Sequence, residues 1–166
     1  MEKALIVALD LGNDEDFYYD LEELCELAKA CDMEVAGRIV QRADSMNKAL
    51  FIGTGKVLEV KDLARTEGAD IVIFNDSLSP MQVRNLQTEI GLPILDRTTL
   101  ILDIFSKRAK TREAKVQVET ARLQYLLPRL AGMHVALSRQ GGSGGSGFSN
   151  KGAGEQKLEL DRRYLE

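Results

Sequence analysis

Short apolar runs alternate with amphipathic stretches through residues 1–97. The runs "ALIVALDL" (4–11) and "DIVIFND" (70–76) are continuously apolar over the length of one strand, which is typical of strands covered on both faces. Further strands are predicted at 34–42, 49–53 and 93–97. Because helical patterns separate these strands, the alternation predicts an α/β subdomain with a mostly parallel βαβ sheet.

Turn residues bound the helices of this subdomain. The stretch "KVLEVKDLARTEGA" is amphipathic and ends near Gly68, which suits the C-cap of a helix. The stretch "SPMQVRNLQTEIG" opens with Ser79 as N-cap and Pro80 at the first helical position, and it stops at Gly91. Both helices are therefore predicted to have well-defined ends.

From Thr98 onward the pattern changes to one long helix with no further strand. Pro128 is expected to kink or nearly end it. A seven-residue spacing of apolar residues is typical of a coiled-coil seam. Here that spacing connects Leu102, Ala109, Val116, Leu123 and Leu130.

A coiled-coil seam needs a partner helix, and the candidate is "GEQKLELDRRYLE" near the C-terminus. Its Leu158 and Leu165 are again seven residues apart. We therefore expect residues 98–166 to form an antiparallel α-helical hairpin with a long glycine-rich tip loop at 135–154. The second helix runs to the last residue without a capping signal, which predicts that it is truncated and that the protein continues.

Charge divides the chain at the same boundary. Residues 1–96 carry 9 Lys and Arg against 19 Asp and Glu, whereas residues 97–166 carry 13 against 7. The segment "SKRAKTREAK" (106–115) holds five cations against one acid, and two interpretations are open: a solvated helix with i,i+4 pairs, or RNA contact. The cations are Lys107, Arg108, Lys110, Arg112 and Lys115.

The sequence predicts no metal site, no disulfide and no membrane-spanning segment. Cys25 and Cys31 are too far apart on one predicted helix for a disulfide, so free thiols in a reducing, cytoplasmic compartment are expected. The lone His134 has no cysteine or carboxylate cluster around it, so no metal site is predicted. No apolar run approaches the roughly 20 residues that a bilayer requires, so membrane insertion is not expected.

The stretch "FIGTGKV" (51–57) invites comparison with a phosphate-binding loop. It fails the Walker A pattern twice, because Leu50 replaces the first glycine and Val57 follows the lysine. Gly53, Gly55 and Lys56 could still hold an anion at the start of a helix. The alternative is a strand-to-helix turn that needs a positive φ.

The glycine-rich stretch "GGSGGSGFSNKGAG" (141–154) also fails the phosphate-loop and dinucleotide patterns. Its core suits a flexible spacer, whereas its flanks add Arg139, Gln140, Asn150 and Lys151, which could contact a polar partner. Glycine permits close backbone approach to that partner. Composition alone leaves both interpretations open.

Several long segments of the sequence together resemble the HflX GTPases, a family associated with ribosomes. They are "FIGTGKVLEV", "DIVIFNDSLSPMQVRNLQ", "LPILDRTTLILDIFSKRAKTREAKVQVETARLQYLLPRLAGM", "LSRQGG" and "GAGEQKLELDRR". The resemblance covers nearly the whole chain and is weakest over residues 1–45. It concerns the region that precedes the GTPase domain, which is itself absent, so no catalytic residue is predicted here.

The resemblance implies a region that docks on the large ribosomal subunit and contacts rRNA near the peptidyl-transferase centre. In the family, the GTP-bound protein helps to split or rescue stalled ribosomes. It further implies that GTP and Mg²⁺ belong to the missing GTPase domain, which would be a partner of this region in the full-length protein. No cofactor is expected in this chain.

The resemblance also carries the glycine-rich loop of the family onto residues 139–154. Where the commoner form reads "GGIGTRGPGET", this chain reads "GGSGGSGFSNKGAGE", so Lys151 is a candidate for the cationic role. Phosphates, base edges, 2′-hydroxyls and one stacked base are the expected contacts. The candidate RNA-binding residues of the loop are Arg139, Gln140, Gly141, Gly142, Phe148, Asn150, Lys151 and Gly152.

Two further functions compete with ribosome docking. The α/β part could be a nucleotide-binding domain with its own weak NTP binding or hydrolysis through Gly53, Gly55 and Lys56. Alternatively, the coiled coil could be a protein-interaction module.

Overall fold

Strands and helices alternate along the part of the chain that the computed structural model describes, namely the backbone of residues 1–140 and the side chains of residues 1–129. The strands are β1 (Glu2–Asp10), β2 (Met33–Arg42), β3 (Ile71–Phe74) and β4 (Ile94–Asp96). The helices are α1 (Phe17–Ala30), α2 (Thr54–Glu67), α3 (Pro80–Ile90), α4 (Arg97–Arg108) and α5 (Arg112–Gln140).

The four strands form one parallel sheet in the order β2-β1-β3-β4. Strand β1 is central, and alternate residues of its apolar run enter two separate cores. Leu5, Val7 and Leu9 pack with residues of α2 and α3, whereas Ile6 and Ala8 pack with residues of α1 and α4. Helices therefore cover both faces of the sheet, which confirms the predicted parallel α/β arrangement.

The predicted capping residues end their helices as expected. Ser79 begins α3 with a reciprocal capping box, in which its Oγ accepts from Gln82 N at 3.1 Å and Gln82 Oε1 accepts from Ser79 N at 3.0 Å. Gly68 and Gly91 follow α2 and α3 in the left-handed conformation that glycine adopts without strain. These local signals position the loops at both ends of the sheet.

The predicted antiparallel helical hairpin and coiled coil are wrong. Residues 98–132 form two helices separated at 109–111, and the apolar side of α5 packs on α3 and α4 rather than along a second long helix. Leu123 is fully buried in this packing, whereas Val116, one heptad earlier, is 57% exposed. The seven-residue spacing therefore does not mark one continuous buried seam. The proposed second helix lies outside the described residues.

Two smaller sequence predictions also need correction. Residues 49–53 form no strand of the sheet, since only an isolated bridge joins Asn47 and Phe51. Helix α5 continues past Pro128 to Gln140, so the helix does not end at the proline. Residues 135–140, which were expected in the glycine-rich loop, are consequently helical.

Candidate nucleic-acid interface

The connection between α4 and α5, which we call the elbow (residues 105–116), carries the basic segment. The backbone leaves the helical conformation at Ala109, with φ −66° and ψ 124°. Thr111 then restarts the helix, because its Oγ1 accepts a hydrogen bond from Ala114 N at 3.0 Å. Glu113 in the first turn of α5 adds a favourable charge at the helix N-terminus.

The cations of the elbow are exposed, and most of them lack an acidic partner. Lys107 pairs with Asp103 at 3.6 Å on the same helix. The other four, which we call the unpaired elbow cations, form no ion pair with any residue whose side chain the structure describes. They are Arg108, Lys110, Arg112 and Lys115. In the α/β part, Lys29, Lys56 and Arg65 each pair with a carboxylate of their own helix, whereas its other exposed cations, such as Lys48 and Lys61, are dispersed and form no ion pair among the described residues.

A side-chain tie across the elbow holds the two helices together. Ser106 Oγ on α4 donates to Glu119 Oε1 on α5 at 2.6 Å, and Arg122 lies 3.5 Å from the other carboxylate oxygen. A cavity of about 270 Å³ opens beside this tie and is lined also by Lys115 and Val116. The two helices of the elbow are thus joined by a side-chain hydrogen bond, and a recess lies beside it. We call this hydrogen-bonded elbow a braced corner.

The buried carboxylate of Asp96 fixes α5 to the sheet. Asp96 is 1% exposed and accepts hydrogen bonds from Leu78 N at 2.9 Å, Thr99 N at 3.0 Å and the Tyr125 hydroxyl. It therefore joins the end of β4, the loop before α3, the start of α4 and the middle of α5. Burial, followed by the hydrogen bond to Asp96, raises the pKa of Tyr125 to about 12.

Arg129 completes this buried network. Its guanidinium lies over the Tyr125 ring, 3.5 Å from the centroid, and 3.9 Å from the Asp96 carboxylate. It also donates to the carbonyl oxygens of Tyr125, at 2.8 Å, and of Leu78. Because a buried carboxylate needs partners of this kind, the network sets the direction in which α5 leaves the α/β part.

The residues predicted to bind a nucleotide phosphate are engaged within the chain. Gly53 N donates to Gln41 Oε1 at 2.9 Å, and Lys56 Nζ pairs with Glu59 at 2.8 Å. The positive φ expected in this turn belongs to Phe51, at 67°, and not to a glycine. Gly53 instead allows close approach, since a Cβ there would lie 3.0 Å from Gln41 Nε2.

A second cavity, of about 240 Å³, lies at the carboxyl ends of β1 and β3, where the strand order of the sheet reverses. Open α/β sheets bind ligands at this position. Here the lining includes Asp14, Asp20 and Asp76, and its one guanidinium, Arg97, is paired with Glu23. Desolvation, with Asp14 and Asp20, raises the pKa of Asp76 against the effect of Arg97. The excess of carboxylates opposes the binding of a phosphate.

The cysteines and the described helices bear on the predictions about disulfides, metals and membranes. Cys25 and Cys31 are free, as predicted, and both are buried. Among the residues described, no group of three His, Cys, Asp or Glu side chains is placed to hold a metal ion. Over the same residues, no helix is both long and apolar enough to cross a membrane.

The predicted RNA-binding residues of the glycine-rich stretch are only partly placed. Arg139 and Gln140 belong to the last turn of α5, and their side chains are outside the described part of the chain. The remaining ones lie beyond the described residues altogether: Gly141, Gly142, Phe148, Asn150, Lys151 and Gly152. Within the described residues, the candidate interface is therefore limited to the elbow.

Sequence reasoning missed two features of this interface. The first is the exposure of Phe105, at 53%, beside the cations. The second is the network of Asp96, Tyr125 and Arg129, which are 29 and 4 residues apart in sequence. The helix restart at Thr111 had a readable signal, since a threonine followed by Arg-Glu-Ala is a helix start within an otherwise uninterrupted helical pattern.

Family models match the chain in two adjoining parts. The model described as "GTP-binding GTPase N-terminal" matches residues 18–106, and the one described as "GTP-binding GTPase Middle Region" matches residues 108–166. The two matches meet at the elbow.

Curated relatives named GTPase HflX are similar over nearly the whole chain. The protein of Alkalihalophilus pseudofirmus is 46% identical over an alignment of 166 positions that covers 99% of this chain and 38% of that protein. The protein of Escherichia coli is 38% identical and covers 99% of this chain and 37% of its own length. The chain thus spans less than two fifths of the length of these relatives.

Solved structures show the same fold. A crystal structure of a mutational variant of SsGBP has a TM-score of 0.60 at 28% identity, covering 79% of this chain and 41% of that one. A GTP-binding protein from the archaeon Sulfolobus solfataricus, in complex with GDP, has a TM-score of 0.59 at 23% identity, covering 99% and 45%. At 23% identity the likeness concerns the fold alone.

Proposed function

Because the chain belongs to the HflX family of GTPases and matches its N-terminal and middle regions, we propose that it is the ribosome-binding part of such a GTPase. Its partner is the large ribosomal subunit, and rRNA provides the surface that it contacts. The glycine-rich stretch approaches the peptidyl-transferase centre in this proposal, with Arg139 and Lys151 as anchors on phosphates.

The unpaired elbow cations are the single observation that carries the proposal. Arg108, Lys110, Arg112 and Lys115 lie within eight residues on one braced corner and have no acidic partner among the described side chains. Residues 1–96, which form most of the rest of the described chain, carry 9 Lys and Arg against 19 Asp and Glu. Retaining unpaired cations next to an acidic domain favours a polyanion as the external partner, and rRNA phosphates fit that requirement.

Co-sedimentation of the chain with purified large ribosomal subunits tests the proposal. In the elbow variant, Arg108, Lys110, Arg112 and Lys115 are all replaced by alanine. We expect it to bind on the order of tenfold or more weakly at moderate salt, because four phosphate contacts are lost.

A matched control removes the same charge from the acidic part of the chain. The control variant replaces Lys29, Lys48, Lys61 and Arg65, which are all exposed, by alanine. It should bind subunits as the unmodified chain does. Equal losses in both variants, or no loss in the elbow variant, would overturn the proposal.

The activity of the whole protein is a further part of the proposal. GTP hydrolysis with Mg²⁺, and splitting or rescue of stalled ribosomes in the cytoplasm, belong to the full-length GTPase, whose GTPase domain would be a partner of this region. The described residues do not suit the nucleotide, because Gly53 N–H and Lys56 are engaged within the chain and the switch-point cavity is acidic. We therefore assign no nucleotide chemistry to them.

A further inference from the structure

The elbow carries an exposed aromatic ring among its cations. Phe105 is 53% exposed on the last turn of α4, and Val116 is 57% exposed on the first turns of α5. Single exposed apolar residues are common, but an exposed phenyl ring in the same short segment as the four unpaired elbow cations is a specific combination. Phosphate contact alone requires no exposed ring, so the ring calls for a separate explanation.

We propose that the elbow binds unpaired RNA, with Phe105 as the platform on which a base stacks and the unpaired elbow cations on the phosphates around it. This inference rests on the proposed rRNA contact and specifies its chemical class. Proteins that hold single strands combine a cationic surface with aromatic side chains in this way. A fully paired A-form helix offers its phosphates but keeps its bases stacked inside, so it cannot use the ring.

The geometry of the elbow supports this assignment. Phe105 directly precedes Ser106, which is tied to Glu119 at 2.6 Å, so the backbone under the ring is held in place. The recess of about 270 Å³, lined by Ser106, Lys115, Val116 and Glu119, begins at the residue that follows Phe105 and could receive a neighbouring base or ribose. The negative charge of Glu119 is offset by Arg122 at 3.5 Å, which reduces its repulsion of a phosphate.

A protein surface is the competing partner for the elbow. Four cations that form no ion pair among the described side chains, in the same short segment as a phenyl ring, favour a polyanion, whereas protein interfaces exclude charged residues from their cores. RNA is therefore the favoured partner, and the experiment below would reveal a protein partner instead.

The test measures binding of the 166-residue chain to a fluorescent single-stranded RNA of about ten nucleotides and to a duplex of the same length. We expect Phe105→Ala to weaken single-strand binding about tenfold and duplex binding by no more than about twofold, because only unpaired bases can stack. Phe105→Trp should retain single-strand binding, and Phe105→Leu, which keeps apolar volume without a ring, should not. The elbow variant should weaken binding of both RNAs.

The outcomes separate this inference from the function on which it rests. If the elbow variant weakens both RNAs and Phe105→Ala weakens neither, base stacking is refuted and the phosphate contact stands. If the elbow variant has no effect on either RNA or on ribosomal subunits, the proposed function itself fails. If Phe105→Ala lowers the melting temperature by several degrees, or weakens subunit binding without weakening RNA binding, the ring packs on protein and the inference is overturned.

Discussion

Asp96 is the residue on which the described structure most depends. It is a buried carboxylate that accepts from two backbone amides, at Leu78 and Thr99, and from the Tyr125 hydroxyl. Since an unpaired buried charge costs several kcal/mol, each of these donors contributes to keeping the site folded. One residue thereby links the family's N-terminal region to the helix of its middle region.

Replacing Tyr125 by phenylalanine tests that link. Tyr125→Phe keeps the ring under Arg129 but removes the hydroxyl that donates to Asp96. We expect the free energy of unfolding to fall by about 1.5–3 kcal/mol, the range for a hydrogen bond to a charged group. Urea unfolding measures the change, and Tyr19→Phe, at a residue that is 72% exposed, should alter it by less than about 0.5 kcal/mol. Equal effects of the two substitutions would refute the network.

Cys31 gives the molecule a pH dependence that can be measured. Burial, and then the Asp103 carboxylate, raise the pKa of its thiol from 9.0 to about 11. The unfolded chain therefore releases the thiol proton near pH 9, whereas the folded chain keeps it to about pH 11. The associated stability is present below pH 9 and is lost as the pH rises through that interval.

The variant Cys31→Ala isolates this titration, because the cavity that it creates has the same cost at every pH. The stability advantage of the unmodified chain over Cys31→Ala should narrow steadily as the pH is raised from 8 to 10.5. Urea midpoints of both proteins at each pH provide the measurement. A difference that stays constant over this interval would show that the Cys31 thiol is not protected from ionisation.

At the scale of elements, the sequence was most informative where local signals and burial agreed. The predictions confirmed by the structure each rest on a local physical cause. They are the buried strand β1, the N-cap at Ser79 and the C-cap glycines at 68 and 91. The isolated bridge at Asn47 and Phe51 shows the limit of this approach. Residues 49–53 look like a short strand, but a turn with Phe51 at positive φ replaces it.

The long helical pattern after residue 97 misled for a different reason. Residues seven apart are typical of a coiled coil only if one helix runs through all of them, and the restart at Thr111 interrupts it. Leu123 and Leu126 are buried, and α5 packs on α3 and α4, so packing on the described helices accounts for their burial. Contacts such as those of Tyr125 and Arg129 join distant segments and cannot be read from spacing.

The interruption at the elbow can be tested through its capping residue. If Thr111 is the N-cap of α5, Thr111→Ala should lower the free energy of unfolding by about 1 kcal/mol. If residues 98–132 were one continuous helix, alanine would instead be the better helix former and would stabilise the chain. Urea unfolding distinguishes the two cases by the sign of the change in the free energy of unfolding. The control is Thr66→Ala, at an exposed position inside α2, which shows the sign expected for a residue within a helix.

At the scale of the whole molecule, the division of charge defines the account. The α/β part carries about twice as many acidic as basic residues, whereas the elbow that follows holds four cations that form no ion pair with any described side chain. The buried Asp96 network holds α5 against the sheet, so the elbow is presented in one orientation. The sequence already indicated this division by its charge counts, but not which cations lack partners, because pairing depends on side-chain placement.

The salt dependence of binding to large ribosomal subunits tests this account most directly. The logarithm of the association constant should fall linearly with the logarithm of the KCl concentration for the unmodified chain and, with the same slope, for the control variant. For the elbow variant we predict a slope about three lower in magnitude, since each lost phosphate contact removes about 0.7–0.9. A slope unchanged by removal of the four cations would contradict the claim that the elbow contacts rRNA.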